Sequence, residues 1–189
     1  WSETQLLHRR LHGDLERYTE TKQWTEAIAV IVQLSELETD PIRRAAYCYA
    51  AAMISRDELA DLDAAIEHCE SALDAYFMKY EDLSEEMVPR AMQPFQTIER
   101  ILTHRGDWKK LERSCRKLIY RMKGWSNRTL QATLYDKLGE IYRSHLKHYS
   151  AAVSTFEAAQ QLDPENATRT DRAAILAELH VLTGEPLAN

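Results

Sequence analysis

The side chains of this chain that could do chemistry are few and scattered. His145 and His148 form an H-x-x-H pair, with Asp136 and Glu140 one or two helical turns upstream. Imidazoles and carboxylates at such spacings can hold a divalent metal, but neither an H-E-x-x-H motif nor a cysteine cluster accompanies them. The pair reads as solvated histidines at a turn. His8 and His12, four residues apart, share one helical face and read as a surface pair. The thiols are Cys48, Cys69 and Cys115. A nucleophilic cysteine needs an imidazole partner and a depressed pKa, and the sequence assigns Cys48 neither. Cys69 and Cys115 stand at apolar helical positions and read as core. Gly13, Gly106, Gly124, Gly139 and Gly184 never cluster into a phosphate-cradling loop. The expectation is a non-enzymatic chain with no catalytic residue, no metal and no cofactor.

The elements that must position any site are helical. Of 189 residues, 44% are hydrophobic and 29% charged, with only five Gly and five Pro. That composition excludes collagen-like and disordered classes and disfavours strands. No apolar run approaches the roughly 20 residues that span a bilayer. Trp24, Ala27, Ile28, Ile31 and Leu34 recur at spacings of three and four. So do Ala65, Ile66, Cys69, Ala72 and Leu73, then Trp108, Leu111, Cys115 and Leu118, then Tyr149, Ala152, Val153, Phe156 and Ala159. Short breaks such as Thr39-Asp40-Pro41, Arg105-Gly106-Asp107 and Asp163-Pro164 separate them with helix stop and cap residues. The starts lie roughly 40 residues apart, and short breaks between long helices make antiparallel neighbours.

One unit is specific. Leu138-Gly139 and Tyr142 on a first helix precede Ala152, Phe156 and Ala159 on a second, which Pro164 ends. This closely resembles the tetratricopeptide repeat (TPR), with one extra residue between the two helices. Units at about 8–41, 44–78 and 92–125 are recognised in its company, with Glu99 where the family carries a small residue. A terminal helix follows at about 170–183, and the segment 79–91, with an Asp82-x-x-Glu85 capping box and Pro89 and Pro94, forms an irregular joint. The resemblance implies a single TPR-like domain over 1–189. It would be a right-handed α-solenoid of antiparallel helix pairs with an extra terminal helix. The start at Trp1 rather than Met reads as a segment of a longer, bacterial-type tandem-TPR protein. Widely spaced cysteines read as reduced thiols, and the compartment expected is the cytoplasm.

Function follows from the same resemblance. In this family first helices line the concave groove where a peptide or partner helix binds. The register brings to that groove Arg9, His12, Glu16 and Glu20; Cys48, Ala52 and Arg56; Gln96, Arg100 and His104; and Asp136, Glu140 and Arg143. The partner-binding residues expected are Arg56, Gln96, Arg100, His104, Asp136, Glu140 and Arg143, a mixture of both charge signs. Charge is segregated elsewhere. From Asp57 to Glu86 there are eleven acids and one base, and from Arg100 to Lys123 nine bases and two acids, within a net charge of −6. Lys109, Lys110, Arg113, Arg116 and Lys117 form a secondary basic face that avoids the apolar stripe. Net charge, and the lack of an aromatic interleaved on that face, weigh against nucleic acid and anionic membranes. The second reading is a structural segment that self-associates through its acidic and basic regions.

Overall fold

In a computed structural model, residues 1–78, 83–165 and 169–184 are described. Asp82 of the expected capping box, Asn166 at the close of the fourth unit and the last residues, 185–189, lie outside that range. Among the described residues every regular element is helical: α1 (Glu3–Glu20), α2 (Trp24–Leu37), α3 (Pro41–Asp57), α4 (Leu62–Tyr76), α5 (Val88–Arg105), α6 (Trp108–Arg121), α7 (Arg128–Glu140), α8 (Tyr149–Leu162) and α9 (Arg169–Thr183). A π-helical turn, Ile141–Leu146, continues α7. No described helix is long and apolar enough to cross a membrane.

Capping residues set most of the starts. Ser2 and Gln5 close a reciprocal capping box on α1. Asp40, Asp61, Asp107 and Asn127 each accept the backbone N–H three residues on, satisfying a donor that the first turn leaves orphaned. Pro41 opens α3, where a missing N–H costs nothing. Gly106 (φ 68°) stops α5 in the left-handed region that a side chain disfavours. Pro89 lies in the first turn of α5, and Pro94 is accommodated inside the helix, fully buried.

The chain packs as two compact units, divided in sequence between Ile101 and Leu102. In the first, α1, α2, α3 and α4 each pack on the next, as their short connections require. Leu11, Val30 and Leu34 form a core that Leu7, Leu15, Tyr18 and Tyr47 extend. Small residues bring α3 and α4 together: Ala45, Ala51 and Ala52 on one, Ala65, Cys69 and Ala72 on the other, all fully buried. In the second unit α7 packs on α8 and α8 on α9. Ala152, Val153, Phe156 and Leu179 are its core, with Tyr142, Tyr149, Ile175 and Leu176 around it. Each fully buried Leu or Phe contributes about 1.5–3 kcal/mol. Gly139 allows this close approach: a Cβ there would sit 2.7 Å from the Phe156 ring, which would have to shift.

The π turn between α7 and α8 widens the hydrogen-bond ladder after Glu140. Lys147 then turns the chain with φ 57°, and the His148 N–H donates to the Tyr142 carbonyl at 2.9 Å.

Candidate functional site

The π turn gathers a cluster of polar side chains in the second unit. Arg143 donates to both carboxylate oxygens of Glu140, at 3.0 and 2.9 Å, in the bidentate geometry that suits a guanidinium. Its third nitrogen lies 3.6 Å from Glu178 on α9. Ser144 donates a short hydrogen bond to Glu140. Glu112 of α6 accepts from the Tyr142 hydroxyl at 2.6 Å and pairs with Arg116 at 2.6 Å. Burial and that carboxylate push the Tyr142 phenol up to about 12, so it stays a donor at neutral pH. His145 stacks on Trp108, ring centroids 3.5 Å apart and 9° from parallel, and His148 lies 6.2 Å from the Tyr142 ring. Among the described residues no three His, Cys, Asp or Glu side chains gather as a metal site.

The residues expected in the groove fall into three conditions. Gln96, Arg100 and His104 follow one another at four-residue spacing along α5, all exposed. Arg100 has no ion-pair partner among the described residues. Arg56 is half-buried and forks onto Asp57, at 2.7 and 3.1 Å. Glu140 and Arg143 hold each other, and Asp136 is taken by Arg172 of α9 at 2.5 and 2.7 Å. Arg172 is 2% exposed and also donates to Gln160 and to the Asp163 carbonyl. The face of α3 named for the groove is partly core: Ala52 is fully buried, because the small-residue contact of α3 with α4 claims it. On α1, Arg9 covers the Trp1 ring at 5.0 Å and His12 reaches the Tyr47 hydroxyl at 3.4 Å.

Two surfaces stand outside that set. On α6, Lys109, Lys110, Arg113 and Lys117 are exposed with no ion pair among the described residues, while Arg116 bridges to Glu112. Tyr120 belongs to the same face and is 74% exposed, which corrects the expectation that no aromatic interleaves these bases. The signal was in the spacing: Tyr120 follows Arg116 by four residues, Arg113 by seven and Lys109 by eleven, one helical stripe. The other surface is a cleft of about 530 Å³ in the first unit, bounded by α2, α3 and α4. It brings Cys48 and His68 to one site, with Glu36, Glu67 and Asp74 at its walls. Burial raises the Cys48 thiol and lowers the His68 imidazole, so both stay neutral rather than forming a thiolate–imidazolium pair. Arg44, also at the wall, donates to the carbonyls of Ser35 and Glu38 and so caps the end of α2. Sequence reasoning missed this cleft because its residues are spread along the chain from Val32 to Met78 and come mainly from three helices. Compared with protein-family models and with curated protein sequences, the chain matches none.

Proposed function

We propose that the chain is a non-enzymatic interaction module built of TPR-like helix pairs, as in a right-handed α-solenoid. On this reading it binds a peptide or partner helix on its first-helix surfaces. The observation that carries this is the approach of α7 and α8, where Gly139 lies against the Phe156 ring at the two positions that carry the sequence resemblance. The exposed stripe Gln96, Arg100 and His104 supplies contacts that the fold does not use, and surface polar groups without internal work are available to a partner.

Affinity capture with the whole chain tests this, comparing wild type with an Arg100→Glu/His104→Glu variant whose helicity is first checked by circular dichroism. These positions are preferable to Arg143, whose loss would free Glu140 and Glu178. A protein retained by wild type and bound at least about tenfold more weakly by the variant is the expected result. The same proteins retained equally by both would remove the α5 stripe from the binding surface.

A further inference from the structure

We propose that a second copy of this chain docks the outer face of its α6 onto the α2–α4 cleft, with Tyr120 as the anchor. This contact is independent of the α5 stripe.

Two observations converge. The first is shape. The cleft, at about 530 Å³, falls within the roughly 300–1,000 Å³ of typical ligand pockets and has ample room for one aromatic side chain. Val32, Ala75 and Met78 give it apolar walls. Tyr120 is the large apolar side chain that α6 leaves in water, and a tyrosine set among arginines is the usual composition of an interface anchor.

The second is charge. Leu62–Tyr76 carries Asp63, Glu67, Glu70 and Asp74 and no Lys or Arg. Three of these four are exposed, and Glu67 and Asp74 edge the cleft together with Glu36 from α2. Arg44, the cleft's one guanidinium, is committed to main-chain carbonyls. The α6 face offers the opposite sign. The spacings match as well: Asp63, Glu67, Glu70 and Asp74 step by four, seven and eleven residues, as do Lys109, Arg113, Arg116 and Tyr120. Two helices with one periodicity and opposite charge can pair along their length.

A polyanion such as RNA would also find the basic face, but a net charge of −6 repels it, whereas a second copy brings the carboxylates itself. The contact is heterologous, since different patches meet, so the chain at each end of an assembly keeps one free face, and growth ends in a ring or continues as a filament according to the rotation between copies.

The test is the solution mass of the whole chain, by light scattering or sedimentation over a dilution series, in low salt and in about 0.5 M NaCl, where screening acts within about 4 Å. Wild type is expected to exceed the monomer mass in low salt and to fall toward it in high salt. Tyr120→Ala, and separately Glu36→Lys/Glu67→Lys, are expected to weaken association at least about tenfold. Mixing these two variants supplies one intact cleft and one intact anchor, so a one-to-one complex of twice the chain mass should form. Wild type that stays monomeric throughout overturns the proposal. So does an assembly indifferent to both variants, or a mixture that remains monomeric while each variant is folded.

Discussion

At the scale of single residues, the most consequential contact is the one between Arg172 and Asp136. A guanidinium 2% exposed is tolerable only with its charge matched, and Asp136, Gln160 and a carbonyl do that work. Asp136→Ala should therefore cost about 3 kcal/mol in a denaturant titration, while Arg172→Met, which removes the buried charge itself, should cost far less. Equal losses would mean that the pair contributes by packing alone. The second residue-scale prediction concerns His68, whose pKa burial lowers from the ordinary 6.5, against the opposing pull of Glu67 and Asp61. Folded protein then binds fewer protons at this site than unfolded protein. Stability should fall as pH drops below about 6.5, down through the lowered folded value. His68→Gln should flatten that part of the profile, measured as the urea midpoint at about pH 5 and about pH 7. Neither feature is legible in the sequence. Asp136 and Arg172 stand 36 positions apart with no motif joining them, and the burial of His68 depends on which way α4 faces.

Helices were far more legible. The three-and-four spacing of Trp24, Ala27, Ile31 and Leu34, or of Ala152, Phe156 and Ala159, marks helices that the structure contains. Asp40, Asp61, Asp107 and Asn127 mark their starts through local chemistry that needs no tertiary partner. The π turn escaped because nothing in the composition of Ile141–Leu146 distinguishes wide from ordinary helical bonding. The exposed Tyr120 could have been read from its spacing to Arg116 and Arg113. At the α7–α8 crossing, Gly139→Ala gains up to about 1 kcal/mol of helix propensity but presses a methyl into Phe156, a buried ring with little room to move. The net expectation is a loss on the order of 1 kcal/mol, growing with Gly139→Val, as read from thermal melts. A neutral or stabilising alanine would show that the ring yields.

For the whole molecule, the all-helical class followed from few glycines, few prolines and apolar periodicity, and the structure bears this out among the described residues. Its division into two compact units did not follow, because the dividing point falls inside the continuous helix α5, where no linker composition marks it. One further consequence lies in the order of packing. In each unit the main helix contacts join neighbours in the chain: α1 with α2, α2 with α3, α3 with α4, and later α7 with α8 and α8 with α9. Closing such short loops costs little entropy, and contacts of this kind form quickly. A ribosome releases the chain at about 5–20 residues per second, slowly enough for each helix to find its predecessor already waiting. Assembly from the amino end onward is the order such neighbour contacts favour, each new helix covering the apolar face that its predecessor leaves open.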